Sequence, residues 1–314
     1  MKKLKAKDIR GVWGSVLLPL NCDETIQWDS LARQVEHLCH SGLNGLYING
    51  TACEFFAQSL KEYENLCEVT AAICEESNMP FQISASHMDY SVMLERFNIA
   101  LKYDPSAIQI IFPDWIPMSN AEITNFLAHM TSIANGIGIV LYNPPHSKRV
   151  LNPQEMMNLI VPVKGLVGLK TGGGNDVWYS QMKDVFREIS VFCPGHHMAT
   201  AIKYGAHGSY SNVACISPKG AVHWYKLICG DMEKGLLLEA DIQRFMATFI
   251  EPLMAKGYAG YTMDKLMATA GGWTEMSNLV RSPYLSPGEE AIAKVRDGIW
   301  EVLPEFMRLN GNTL

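Results

Sequence analysis

The chain has no apolar stretch approaching the ~18 residues that suggest a membrane span. Even its most apolar segment, residues 11–20, is interrupted by Gly14, Ser15 and Pro19, so no membrane partner is expected. An excess of positive charge is missing too. The 26 lysines and arginines stand against 32 aspartates and glutamates, a net charge of −6, which offers a phosphate backbone no broad basic face and argues against nucleic acid. Eight cysteines in 314 residues include no CxxC pair, so a disulfide framework is not expected and they read as mostly buried, reduced thiols. The lysine-rich start, residues 1–10, leads into no apolar run with a small-residue cleavage site, which points to a cytoplasmic address. Charged residues are few, 18% against 48% hydrophobic. That balance excludes disorder for the bulk and leaves apolar surface for one large domain or two small ones.

What is present is alternation. Short β-branched or apolar runs at residues 11–20, 44–51, 81–86, 107–112, 137–143, 166–171, 190–193 and 208–212 read as strands. The segments between them read as helices. Residues 28–40, 61–76, 91–103, 122–134 and 153–160 repeat apolar positions every three or four residues, with proline or glycine near their ends. Eight βα units within about 230 residues fit an α/β fold of the TIM (β/α)8 barrel type. A doubly wound sheet would carry a glycine-rich GxGxxG turn after its first strand, and none follows here. Residues 1–229 are therefore expected to form the barrel, and residues 230–314 a helical C-terminal extension with helices at 231–256, 263–269 and 287–308.

A barrel of this kind places its reacting groups at the carboxyl ends of its strands. Lys170 ends the apolar run from Leu166, and burial of an amine there would favour its neutral, nucleophilic form, able to make a Schiff base with a carbonyl. By position alone a lysine reaching solvent is the commoner reading. Tyr142 ends the fifth strand before Asn143-Pro144-Pro145, where a phenol can shuttle protons or simply pack. Thr51 follows Gly50 at the end of strand two, where a hydroxyl and free N–H groups could hold a carboxylate, though threonine is common at such ends. Two weaker readings concern ligands. Gly172-Gly173-Gly174 could cradle a phosphate or serve as a plain turn, and no GxxxxGK[ST] accompanies it. His196-His197 with Cys193 invites a metal, but no second ligand pair stands at the usual spacing, so no metal and no cofactor is expected.

Taken together, Gly50-Thr51-Ala52-Cys53-Glu54, Tyr142-Asn143-Pro144-Pro145 and Gly168-Leu169-Lys170 resemble, in order and spacing, the dihydrodipicolinate synthase and N-acetylneuraminate lyase family of pyruvate-dependent class I aldolases. The resemblance runs from Leu18-Pro19-Leu20 to Val280-Arg281-Ser282-Pro283-Tyr284-Leu285. It implies a (β/α)8 barrel in which Lys170 forms an imine with pyruvate, Tyr142 relays the proton, and the loop of Thr51 and Ala52 binds the pyruvate carboxylate. Trp115 in the strand-four loop, and Tyr210 and Ser211 at the end of strand eight, would shape the rest of the pocket. The substrate implied is pyruvate or another 2-oxo acid, and the partner implied is the chain itself, as a homodimer or homotetramer.

The chain departs from that pattern in places. Ala52 and Cys53 replace a threonine and a glycine, so one hydroxyl is lost while the backbone amide remains. Trp115 stands in the loop where dihydrodipicolinate synthases carry a Tyr-Tyr pair that relays protons across a subunit interface, and an indole N–H only donates. Ser147 occupies the place of an arginine that grips the second substrate's carboxylate, leaving Lys148 or Arg149 to reach it. These departures favour the pyruvate half of the reaction over the lysine-pathway partner. The expected activity is joining pyruvate to an aldehyde, or the reverse cleavage. The alternatives are dehydration or deamination of a 2-oxo acid, and a barrel that binds pyruvate without turnover.

Overall fold

Eight strands and the helices between them close on themselves in the computed structural model, which describes residues 1–113 and 115–313. The strands are β1 (Gly11–Ser15), β2 (Gly45–Ile48), β3 (Phe81–Ser84), β4 (Ala107–Ile110), β5 (Gly138–Asn143), β6 (Leu166–Thr171), β7 (Ser190–Pro194) and β8 (Gly208–Tyr210). They form a closed parallel barrel in sequence order. The seam sets Gly11 opposite Gly208 and Trp13 opposite Tyr210. A Cβ on Gly208 would lie 2.0 Å from the Gly11 carbonyl oxygen, so the seam accepts only glycine there.

Alternation along each strand sends every second side chain inward. Trp13, Tyr47, Val140, Phe192 and Tyr210 fill the lumen, while Val12, Leu46, Ile83, Ile108 and Leu169 pack outward beneath the helices. The surrounding helices are α1 (Trp28–Cys39), α2 (Leu60–Glu76), α3 (Tyr90–Lys102), α4 (Asn120–Ser132), α5 (Pro153–Ile160), α6 (Asp176–Gln181), α7 (Lys183–Glu188), α8 (Met198–Tyr204), α9 (Val213–Ile216) and α10 (Pro218–Gly230). Reciprocal capping boxes start three of them, pairing Ser59 with Glu62, Ser119 with Glu122 and Asn152 with Glu155. No helix among the described residues is long and apolar enough to cross a membrane. All eight cysteines are free, five of them buried.

Helices follow the barrel as expected: α11 (Met232–Phe245), α12 (Glu251–Ala255), α13 (Gly260–Gly271), α14 (Glu289–Val302) and α15 (Pro304–Leu309). Two expected helices are each divided. The one expected over 231–256 loosens into a π-helical turn at Met246–Ile250 ahead of Pro252, whose missing N–H cannot continue the α ladder. The one expected over 287–308 breaks at Leu303, which the following proline pushes out of helical geometry. The first strand is also shorter than expected, because only Gly11–Ser15 pairs in the sheet. Beyond it the chain leaves the ladder and Leu17 N–H donates to the Gln34 side chain at 2.7 Å.

Candidate active site

At the carboxyl end of the barrel lies a cavity of about 860 Å³. Lys170 and Tyr142 both reach it because they are register partners on the adjacent strands β5 and β6, pointing to the same side. The Lys170 Nζ lies 4.2 Å from the centre of the Tyr142 ring, 4.7 Å from that of Tyr47 and 5.2 Å from that of Tyr210. Tyr210 is fixed in turn by donating its hydroxyl to Gln82 Oε1 at 2.7 Å. The ring faces attract a cation, but burial outweighs them. Desolvation pulls the Lys170 ammonium down to about 8, against smaller opposing effects of Asp264 and Cys215. At pH 7.5 roughly a quarter of such a lysine is neutral, against about one part in a thousand at the ordinary value.

Thr51 and Ala52 open a short 3-10 turn, Thr51–Cys53, at the end of β2, and both line the cavity. The first N–H groups of such a turn have no partner within it. Those of Thr51 and Ala52 donate to no described residue. The Thr51 side chain lies beside the Tyr142 phenol and offsets part of a rise to about 12 that burial and Asp264 impose on it. The turn is pinned from behind by Glu54, a fully buried residue in left-handed backbone geometry at φ 54°. Its carboxylate pairs with Lys265 of α13 and accepts the Arg281 N–H at 2.8 Å.

Asp264, which the sequence did not single out, also lines the cavity. Burial raises its carboxyl to about 7, with Lys170 as the opposing influence. Burial thus draws the two groups toward each other from ordinary values of 10.5 and 3.8. Passing a proton from the ammonium to the carboxylate is therefore far less costly here than between the same groups in water.

Of the other expected residues, Tyr210 and Ser211 line the cavity. Trp115 does not: it is 75% exposed, its carbonyl accepts from Lys148, and the Lys148 Nζ sits 4.2 Å from its ring centre. β4 ends at Ile110, and Ile111 and Phe112 after it line the cavity instead. Ser147 and Lys148 line the cavity, whereas Arg149 is held by Glu155 and by Asn120 at 2.6 Å.

His196 and His197 line it as well, each tied to an amide, Asn212 and Gln243, at 3.0 Å. Burial takes His196 down to about 4, which leaves it neutral near pH 7. No group of three metal-ligating side chains exists among the described residues. The glycine triplet is explained by packing: a Cβ on Gly172 would lie 2.5 Å from Pro145, and Gly173 holds φ +70°.

Fold and cavity define a (β/α)8 barrel with a lysine in a cavity at its strand ends. The chain belongs to the dihydrodipicolinate synthetase family, whose model matches residues 8–301. It is similar to the N-acetylneuraminate lyase of Enterobacter sp. (strain 638), 27% identical over 190 residues, or 60% of this chain and 63% of that protein. It is likewise 29% identical over 186 residues to the N-acetylneuraminate lyase of Escherichia coli (strain K12 / DH10B), covering 58% of this chain and 60% of that one. The match thus spans about three fifths of these relatives' length. Among solved structures it resembles YagE, a prophage protein of the dihydrodipicolinic acid synthase family from E. coli K12, seen in complex with pyruvate. That likeness has a TM-score of 0.83 at 17% identity, over 94% of this chain and 99% of that one. A dihydrodipicolinate synthase family protein from Coccidioides immitis matches 99% of each chain at TM-score 0.81 and 18% identity.

Proposed function

We propose that this chain is a class I lyase that forms an imine between Lys170 and the 2-oxo group of pyruvate or a longer 2-oxo acid, joining pyruvate to an aldehyde or cleaving in reverse. The observation that carries the reading is the amine itself. Lys170 sits in a cavity, desolvated enough to be partly neutral near pH 7, directly opposite a phenol in the strand register. Attack of the neutral amine on the 2-oxo carbon, followed by loss of water, gives an iminium that draws electrons from C3. The methyl of bound pyruvate then loses a proton to form an enamine nucleophile. The unpartnered N–H groups of Thr51 and Ala52 suit the substrate carboxylate, which needs donors and not a charge of its own sign. Tyr142, kept protonated, serves as the proton relay.

Similarity to the N-acetylneuraminate lyases supports carbon–carbon cleavage as the reaction class. The reading includes a homodimer or homotetramer. Trp115 and Ile116, 75% and 74% exposed, offer it an apolar surface on the strand-four loop. The test is treatment with pyruvate and borohydride, followed by peptide mapping. A reduced pyruvyl adduct on Lys170 is expected, and an adduct on a different lysine, or none on folded protein, overturns the reading.

A further inference from the structure

Asp264 is the carboxylate at this site whose presence the imine chemistry has not yet explained. It comes from α13, in the helices that follow the barrel. Among the described residues lining the cavity it is the only acid. No described residue donates a hydrogen bond to its carboxylate, and it makes no direct ion pair. The titratable groups that face it are Lys170 from β6, Tyr142 from β5, Tyr47 from β2 and Cys215 from α9. On its own helix, Lys265 turns the other way, into the pair with Glu54. A half-buried carboxylate that faces the cavity without a protein partner, together with an amine that must lose a proton to react, is placed for chemical use.

We propose that Asp264 carries the proton of the imine step, taking it from the Lys170 ammonium and returning it to the hydroxyl that leaves the carbinolamine. The inference rests on the Schiff-base reading. The ammonium gives one proton to the Asp264 carboxylate, directly or through one water. The resulting amine attacks the 2-oxo carbon, a C–N bond forms, and a second proton passes from nitrogen to the former carbonyl oxygen. The C–O bond then breaks, and the hydroxyl departs as water with the proton held by Asp264. The iminium keeps the third proton of the original ammonium, and Asp264 returns to its ionised form. Tyr142 cannot do the first of these jobs near pH 7, because its phenol is already protonated and held up at about 12. Asp264, at about 7, is ionised often enough to accept a proton and holds one weakly enough to give it back.

The test follows imine formation by quenching with borohydride at timed intervals across pH 5.5–9.5. One proton must be shared between Lys170 and Asp264, so the wild-type rate is expected to peak between about 7 and 8. Below that window both groups are protonated and no base remains. Above it both are deprotonated and no acid remains. Asp264→Asn is expected to slow adduct formation roughly 10²- to 10⁴-fold and to leave a single limb rising with pH, and Asp264→Glu to restore a peaked profile. A peaked profile in Asp264→Asn at the wild-type rate overturns the proposal. So does a single rising limb in the wild-type protein, which needs no variant to fold. Absence of any Lys170 adduct in wild type would instead overturn the imine reading on which the proposal stands.

Discussion

Lys265→Met should destabilise the protein strongly, because it breaks a pair with no access to water. Both side chains of Glu54 and Lys265 are 0% exposed. The ammonium also donates to the Leu279 carbonyl at 2.6 Å, and the carboxylate holds the Arg281 N–H at 2.8 Å. Removing the cation leaves Glu54 buried without its counter-charge, and breaking such a pair costs about 3–5 kcal/mol. With an unfolding entropy near 2.1 cal/mol/K per residue, a chain of this size converts that into a fall in Tm of roughly 5–8 °C. Thermal unfolding followed by circular dichroism measures it. Glu54→Gln combined with Lys265→Met should recover most of the loss, since no bare charge is left and the amide oxygen still accepts from Arg281. Because Glu54 ends the turn that presents Thr51 and Ala52, the single variant should also raise KM for the 2-oxo acid more than it lowers kcat. A Tm within 1 °C of wild type would refute the reasoning.

Tyr142→Phe should keep the fold and still form the Lys170 adduct, while turnover falls roughly 10²- to 10⁴-fold; steady-state rates within a few-fold of wild type would return the tyrosine to a packing role. Competitive labelling of amines with an acylating reagent should give Lys170 a midpoint near pH 8, its label falling as pH drops because the ammonium form takes over; a midpoint near that of the surface lysines would contradict a desolvated amine. Neutral or hydroxylated aldehydes should exceed aspartate semialdehyde in kcat/KM. Ser147, neutral His196 and Asn212 offer hydrogen bonds where a carboxylate would want a guanidinium, worth about 1.5–3 kcal/mol. A wide margin in favour of the semialdehyde would make Lys148 its carboxylate partner.

The residues legible in the sequence are those whose position follows from local pattern. Lys170, Tyr142 and Thr51 each end an apolar run, and strand alternation decides which way a strand-end side chain points. That Trp115 lies outside the cavity lining is not legible, because a loop between a strand and a helix has no period, so nothing local says whether an indole there turns inward or out. The place of Asp264 in the cavity is not legible because it is tertiary: 94 residues separate it from Lys170, and the helix it sits on reads as ordinary. One signal was available. On α13 the residues Tyr261, Thr262, Met263, Leu266, Met267 and Ala268 are all buried, and a helix apolar nearly all round lies inside the molecule. Two adjacent charges, Asp264-Lys265, in such a helix must either be paired or be used.

That dipeptide explains why the helices after the barrel belong to the site and are not an appendage. Consecutive residues on a helix point about 100° apart, so one carboxylate faces the cavity while the next side chain is driven into Glu54. The buried pair fixes the rotation and depth of α13 against the turn that follows β2. Any tilt that moved Asp264 away from Lys170 would have to draw the Lys265 ammonium out of its pair, at several kcal/mol. The anchor and the proposed proton carrier are therefore set by the same contact. The boundary expected near residue 230 separates strands from helices but not function, because Tyr261 and Asp264 close a cavity whose floor is Lys170. A chain ending there would retain the lysine and lose the only carboxylate, among the described residues, that faces it.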